Sequence, residues 1–176
     1  MKNRQTLRLT EWDYRWEADY FITICTKDFK SKFGKIENGK MTLSHIGIIA
    51  ELFWYQIPTF KTNISLGTYV IMPNHLHGIL QIRDFSNKKD TQSLIPPQIQ
   101  SYNKSYSTAS PKEGSISAIV RSYKSAVTKH ARRLGYSFEW QPKFYDHIIR
   151  DGKDFVRIEN YIDNNIENWN KDRFFK

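Results

Sequence analysis

The sequence has almost no cysteine, no long apolar run and a shortage of acidic residues. Cys25 is the single cysteine of the 176 residues, which excludes an intramolecular disulfide framework and a zinc site built from several thiolates. No apolar run approaches the length of about 20 residues that spans a bilayer. The first residues carry charge without a following apolar segment, so we expect no signal peptide, no membrane partner and a cytoplasmic location.

The shortage of acidic residues leaves a strongly basic chain. Lysine and arginine number 27 against 18 aspartate and glutamate, which gives a formal net charge of +9 and a sequence pI near 9.6. Such an excess favours a polyanionic partner, most often nucleic acid, over a merely soluble basic protein. The length and the 39% hydrophobic content predict one globular domain over residues 1–176.

The first half of the chain contains a strand, a hairpin and a helix. Residues 20–26 are β-branched and aromatic and predict a buried strand. Asn38-Gly39 lies between two short apolar stretches and predicts a hairpin over residues 33–43. Apolar residues at helical spacing then predict a helix that Ser44 caps and that ends at Ile57.

The second half of the chain also contains predicted strands and helices in alternation. A strand is predicted over residues 67–83, with a bulge or a division into two pieces at Pro73, which lacks a backbone donor. Helices are predicted over residues 115–134 and 153–169, with a strand-like segment over residues 138–149 between them. This order predicts an α+β fold in which helices cover an antiparallel sheet.

Residues 84–114 differ from the rest because they are rich in Ser, Asn, Gln, Lys and Pro. They predict a flexible insertion loop, either a solvated insertion or an arm on DNA whose tyrosines stack on bases. The helix after this loop has a basic face, which is either only solvated or in contact with phosphates, and we favour the second interpretation. The basic residues of this face are Arg121, Lys124, Lys129, Arg132 and Arg133.

His75-Leu76-His77 is the sharpest local feature of the sequence. Side chains two apart on a strand share a face, so the two imidazoles form half of a metal site or are two hydrogen-bonded histidines. We expect Ile71, Pro73 and Ile79 to flank them on that face.

A second feature lies in the last predicted helix. Tyr161 and Asn165 are four residues apart, about 40° around the helix axis, beside the apolar stripe. They are a candidate nucleophile and a candidate metal ligand, or Tyr161 only lines the edge of the core. Tyr145, close in sequence to His147, is a rival nucleophile.

Several stretches, in this order along the chain, carry a family resemblance. The chain resembles the single-tyrosine HUH transposases of the IS200/IS605 type, and most closely the REP-associated tyrosine transposases. The string Met-Pro-Asn-His-x-His-Gly is the most specific single match. The matching stretches are residues 20–26, 33–36, 70–78, 122–129, 140–141, 144–150 and 161–165.

The resemblance implies a ferredoxin-like HUH fold and a set of site residues. His75 and His77 would ligate a divalent metal ion, Mg²⁺ or Mn²⁺, although imidazole ligands equally permit Zn²⁺ or Ni²⁺. Tyr161 would be the catalytic residue, and Asn165 would complete the metal site. Related enzymes often have proline after this asparagine, and its absence here leads us to expect that the helix continues to Trp169.

The resemblance also implies a reaction. The chain would be a transposase that cleaves and transfers single-stranded DNA through a 5′-phosphotyrosine intermediate. Its substrate would be hairpin DNA, and it would act as a monomer or homodimer. Arg150, like Tyr145 and His147, would either contact this DNA or support the fold. The alternatives are a non-catalytic DNA-binding protein, a rolling-circle initiator or relaxase, and a metal-dependent nuclease that hydrolyses DNA.

Overall fold

A computed structural model describes residues 12–83 and 111–175 of the chain. These residues contain six strands and four α-helices. The flexible loop predicted over residues 84–114 lies outside the described residues except for its last four. The elements are β1 (Ala18–Cys25), β2 (Gly34–Glu37), β3 (Lys40–Leu43), α1 (His45–Tyr55), α2 (Ile57–Phe60), β4 (Ile64–Met72), β5 (His75–Ile82), α3 (Ile116–Arg133), β6 (Tyr145–Ile149) and α4 (Gly152–Asp163).

Four of the strands form one antiparallel sheet in the order β4-β5-β1-β6. Along the chain, α1 precedes β4 and α3 precedes β6, so the pattern is βαββαβ and the sheet order is fourth, first, third, second. This is the ferredoxin-like arrangement, and it confirms the predicted α+β fold with helices on an antiparallel sheet. The hairpin of β2 and β3 and the short α2 are additions between β1 and β4.

Two tight turns fix the strand pairs. Asn38 and Gly39 both have positive φ, +51° and +72°, as a two-residue hairpin turn requires, which confirms the predicted hairpin. The strand predicted over residues 67–83 is divided at Pro73, because Met72 pairs with His75 and only Pro73 and Asn74 lie between them. The missing donor of Pro73 therefore falls in the turn, where no ladder hydrogen bond is lost.

This turn changes which residues share the face of His75. Ile71 pairs with Leu76 and packs in the core on the opposite face, so the expectation that Ile71 and Pro73 flank the histidines is wrong. The chain reverses at Pro73, and alternation counted along a single strand does not continue through a turn. Ile79 lies on the histidine face, as expected.

The first two long helices begin where the sequence indicated. Ser44 accepts a hydrogen bond from Gly47 N, and Ser115 accepts one from Ala118 N. The helix predicted to end at Ile57 instead ends at Tyr55, and the short α2 follows it. Leu134, the last residue of the helix predicted over residues 115–134, lies just after the end of α3 and is 64% exposed.

The last helix ends earlier than expected. It stops at Asp163 rather than continuing to Trp169, and only a 3-10 turn, Trp169–Lys171, follows. The Asn164 side chain donates to the Asn160 carbonyl, and the Asn168 side chain donates to the Asn164 carbonyl. The α-helical pattern breaks at Asn165, whose N–H donates to the Ile162 carbonyl three residues back and so tightens the turn.

The two faces of the sheet are covered differently. Helices α1 and α3 pack together on one face over the larger core, which includes the fully buried Trp54. Helix α4 lies on the other face over a smaller apolar cluster. The histidines of β5 emerge on this second face, beside α4. The members of the smaller cluster are Phe21, Ile79, Ile149, Ile158 and Ile162.

Gly78 provides a test of the packing between β5 and α1. A Cβ at Gly78 would lie 2.4 Å from Cζ2 of the buried Trp54. We expect Gly78→Ala to lower the free energy of unfolding by about 1–3 kcal/mol, since the Trp54 ring must shift to admit it. Urea unfolding measures this change. Gly152→Ala is the control, because its Cβ meets no atom within 4 Å, and equal midpoints for the two variants would contradict this packing.

Candidate active site

His75 and His77 lie side by side at the start of β5 and are almost fully buried. Their ring centroids are 4.5 Å apart, which confirms that the two side chains share a face. His75 Nδ1 lies 2.8 Å from Asn74 Oδ1, and His77 Nδ1 lies 2.8 Å from Thr23 Oγ1. Each ring therefore has its Nδ1 occupied, and the two Nε2 atoms are the ones available to the site.

The surroundings determine the protonation of His75. The Asn74 Nδ2 atom donates to the backbone carbonyls of Phe29 and Phe174, so Oδ1 is the atom that faces His75. His75 Nδ1 must then carry the ring proton, which leaves Nε2 with a free lone pair. Burial, with a smaller contribution from the Arg173 guanidinium, lowers the pKa of His75 to about 3.

His77 is also neutral. Burial is the main reason that its pKa lies well below the usual value, and His75 and Arg173 add to the shift. Two neutral imidazoles in a buried setting have the protonation state that metal ligation requires.

Tyr161 reaches this pair from the last turn of α4. Its hydroxyl lies 3.1 Å from His77 Nε2, and its ring packs edge-on against His77 and Phe21. The side chain stays 41% exposed, so a molecule from solvent can approach it. Burial raises the pKa of Tyr161, with Asn165 and Arg173 opposing the shift, so the phenol is protonated at neutral pH.

Asn165 and Asp172 complete the group. Asn165 is 3% exposed, and within residues 12–83 and 111–175 its Oδ1 has no hydrogen-bond partner. Asp172 Oδ2 lies 4.0 Å from His75 Nε2, and the ligand atoms of His75, His77 and Asp172 all fall within 4.8 Å of one another. Sequence reasoning missed Asp172 because nothing in its spacing connects it to the histidines.

These residues fit a divalent metal ion. His75 Nε2, like Asn165 Oδ1, is a buried polar atom without a partner in the described part of the chain. An unpartnered buried polar atom costs about 1–3 kcal/mol, and a cation between these atoms would satisfy both. Imidazole nitrogens with carboxylate and amide oxygens suit Mg²⁺, Mn²⁺ or Zn²⁺.

The C-terminal segment that carries Asp172 is held in place by Phe174. The Phe174 ring stacks on Phe29 at 5.4 Å and contacts the His75 ring at 4.7 Å. Its backbone oxygen accepts from Asn74, and its backbone nitrogen donates to Asp172 Oδ1. The remaining carboxylate oxygen of Asp172 is thereby turned toward the histidines.

A cavity of about 400 Å³ opens over the group. It is lined by Tyr161 and by the polar and charged side chains that follow α4, including Asn165, Lys171, Asp172 and Arg173. Two cations, Asn165, Asp172 and Tyr161 therefore line one space.

The other residues predicted near the site, Tyr145, His147 and Arg150, are not part of the lining of this cavity. Tyr145 is 38% exposed and packs edge-on against Phe21. His147 Nε2 lies 2.7 Å from Asp154 Oδ2, and Arg150 is exposed just after β6.

The basic residues of α3 lie on the opposite layer from Tyr161. Lys124 Nζ donates to the Gln141 and Lys143 carbonyls, and burial lowers the pKa of Lys124 to about 8. A second cavity, of about 520 Å³, is lined by Lys124, Lys129, Arg132 and Trp140. The remaining basic residues of this helix, Arg121 and Arg133, are exposed.

Two solved structures show what the fold is similar to. The structure of a REP-associated tyrosine transposase bound to a REP hairpin aligns at a TM-score of 0.58, with 17% identity, over 90% of this chain and 72% of that chain. A Deinococcus radiodurans protein provisionally named a transposase aligns at a TM-score of 0.44, with 14% identity, over 89% of this chain and 95% of that chain. The first alignment shows a shared fold.

Sequence comparison finds a relative over nearly the whole length. No protein-family model matches the chain. Among the described residues, no helix has the length and apolar character needed to cross a membrane. An uncharacterized protein of Haemophilus influenzae is 38% identical over 177 residues, which cover 98% of this chain and 93% of that protein. The chain therefore belongs to the same family as this Haemophilus influenzae protein, and it has the fold of a REP-associated tyrosine transposase.

Proposed function

We propose that this protein is a transposase that cuts and rejoins single-stranded DNA through Tyr161. The observation that carries the proposal is the Tyr161 hydroxyl, 3.1 Å from His77 Nε2 and beside the His75, His77 and Asp172 cluster. The fold shared with a REP-associated tyrosine transposase supports it. Because Tyr161 contacts His77 of its own chain, the proposed site is complete in a monomer and does not require the homodimer.

In the proposed reaction the Tyr161 oxygen attacks the phosphorus of a phosphodiester. The new bond is a 5′-phosphotyrosine link, and the bond between phosphorus and the 3′-oxygen breaks. The phenol proton is matched by the proton that the leaving 3′-oxygen takes up, so no net proton is released. A 3′-hydroxyl can attack the link in reverse, which transfers the strand without a nucleotide cofactor.

The proposed cofactor is Mg²⁺ or Mn²⁺, held by His75, His77, Asn165 and Asp172. A divalent cation supplies positive charge that polarises the phosphate and offsets the charge that develops on it. The protein residues have other tasks: Asn74 fixes the orientation of His75, and burial keeps both histidines neutral.

The proposed substrate is single-stranded DNA that forms hairpins. The net charge of +9 supports a polyanion, and the related fold was solved with a REP hairpin. We propose that α3 and the residue after β6 contact the phosphates away from the cleavage point. The proposed contacts are Arg121, Lys124, Lys129, Arg132, Arg133 and Arg150.

The nucleophile can be identified by covalent trapping. Labelled single-stranded hairpin oligonucleotides are incubated with the protein, with and without Mn²⁺, and separated on a denaturing gel. We expect a metal-dependent protein–DNA adduct that Tyr161→Phe abolishes, because the phenyl ring packs as before but has no oxygen to attack phosphorus.

Tyr145→Phe is the matched control and should still form the adduct. Loss of the adduct in Tyr145→Phe alone would move the nucleophile to that residue. DNA binding without an adduct would favour a non-catalytic binding protein, and cut DNA with unmodified protein would favour a hydrolytic nuclease.

The metal site can be tested without DNA. Mn²⁺ binding is measured by calorimetry or by the loss of the free-ion electron paramagnetic resonance signal. We expect Asp172→Asn to weaken binding by a factor of about 10 or more, because a charged oxygen ligand becomes neutral. Asp163→Asn removes an equal charge from an exposed residue at the end of α4 and should bind Mn²⁺ as the unaltered protein does. Equal affinities for both variants would remove Asp172 from the ligand set.

A further inference from the structure

The guanidinium of Arg173 lies at the candidate active site, although Arg173 is not one of the site residues that the sequence predicted. It lines the cavity of about 400 Å³ that also contains Tyr161, Asn165 and Asp172. The sequence motif that carries Tyr161 ends at Asn165, so nothing in that motif indicates a role for a residue eight positions later.

Two aromatic rings position this guanidinium. Its central carbon lies 4.5 Å from the centroid of the Phe174 ring and 5.8 Å from that of Tyr145. Both distances fall within the range of about 6 Å at which a cation is attracted to a ring face. Phe174 is itself fixed by its contact with His75 and its hydrogen bond from Asn74, so Arg173 rests on a surface that is already ordered.

The Arg173 guanidinium has no carboxylate partner within 4.0 Å among residues 12–83 and 111–175. Each arginine of the ion pairs found in that part of the chain, Arg15, Arg83 and Arg157, is matched with an aspartate. The donors of Arg173 are therefore available to a ligand in the cavity.

The Arg173 guanidinium lies among the reacting groups. Its partner ring, Phe174, contacts the His75 ring at 4.7 Å. Arg173 and Tyr161 line the same cavity, so a phosphate bound in that cavity can contact both side chains.

We propose that Arg173 is a catalytic residue that binds the non-bridging oxygens of the scissile phosphodiester, on the ring platform formed by Tyr145 and Phe174. This inference rests on the proposed function. A guanidinium presents two parallel donors that match two phosphate oxygens, which an ammonium such as that of Lys171 does not. The contact would hold phosphorus about 3–3.5 Å from the Tyr161 oxygen and would stabilise the charge of the five-coordinate transition state.

Single-turnover formation of the covalent adduct tests Arg173. We expect Arg173→Gln to slow the adduct by about 100-fold, the scale on which loss of one transition-state donor acts. Arg173→Lys should recover part of the rate. Arg15→Gln is the matched control, since it removes one exposed arginine at the opposite end of β1 and should react as the unaltered protein does.

A neutral substrate separates a charge role from a structural one. A methylphosphonate group at the scissile position carries no negative charge. On this substrate, the rate difference between the unaltered protein and Arg173→Gln should fall to less than about 10-fold. Added guanidinium at millimolar concentration should restore Arg173→Ala in part. A rate loss that is equal on both substrates and insensitive to guanidinium would overturn the proposal in favour of a structural role.

Tyr145 is a positioning residue in this proposal. Tyr145→Phe keeps the ring under Arg173 and should retain more of the rate than Tyr145→Leu. Tyr145→Leu removes the ring face and should slow the adduct on the phosphodiester but not on the methylphosphonate. Equal rates for Tyr145→Leu and Tyr145→Phe would remove the platform from the proposal.

A separate measurement of DNA binding distinguishes failure of the proposed reaction from failure of the proposed contact between Arg173 and the phosphate. Binding is measured by fluorescence anisotropy in Tyr161→Phe, with Arg173→Gln or Arg15→Gln added. An adduct formed equally well by Arg173→Gln and the unaltered protein would overturn the Arg173 contact alone. No adduct with any protein, together with binding weakened several-fold only by Arg173→Gln, would overturn the proposed reaction and support the phosphate contact. No adduct and equal binding by both variants would overturn both.

Discussion

The side chain and carbonyl of Asn74, in the turn between β4 and β5, connect the first histidine of the candidate site with the end of β1 and with the C-terminal segment. Its amide nitrogen donates to Phe29 and Phe174 at 3.0 and 2.7 Å, and its amide oxygen lies 2.8 Å from His75 Nδ1. Its backbone oxygen accepts from both the nitrogen and the hydroxyl of Thr26. One fully buried asparagine thus joins the end of β1, the turn after it, the first histidine and the C-terminal segment.

The orientation of this amide has chemical consequences. An amide that has committed both donors can only accept from His75, so the ring is fixed in the tautomer that leaves Nε2 free. Burial then keeps the ring neutral. Two buried polar atoms of the candidate site, His75 Nε2 and Asn165 Oδ1, have no hydrogen-bond partner in the described part of the chain, whereas buried polar groups are normally paired. These two unpartnered atoms are the physical basis for proposing that a cation binds at the site.

Local patterns predicted most of the fold and part of the site. Strand alternation predicted that His75 and His77 share a face. Asn38-Gly39 predicted the hairpin turn, and Ser44 predicted the helix cap. These three features were predictable because each one depends only on residues that are close in sequence. The end of α4 was predicted wrongly, since the chain tightens at Asn165, whose N–H donates to the Ile162 carbonyl three residues back and does not continue the α-helical pattern.

The residues that sequence reasoning missed depend on contacts between distant parts of the chain. Asp172 is near His75 only because Phe174 docks against Asn74, a contact between positions 100 residues apart. Arg173 has its position for the same reason, and no periodicity or motif connects either residue to the histidines. Side chains that a segment after the last helix brings to the candidate site can therefore be identified only once the tertiary contacts are known.

In the proposed function, the end of β1 connects the basic residues of α3 with the candidate active site on the other layer. Gln141 N donates to the Cys25 carbonyl, and the Gln141 carbonyl accepts from Lys124, which lines the α3 cavity. Thr26, the next residue, donates to the Asn74 carbonyl, and the Asn74 side chain donates to the Phe174 carbonyl beside Arg173. Hydrogen bonds at the end of β1 therefore join the segments that border the two cavities. A nucleic-acid strand bound as proposed would cross this strand end, with Arg173 on the α4 side and the lysines and arginines of α3 on the other, so that the proposed cleavage and binding residues would act on one substrate.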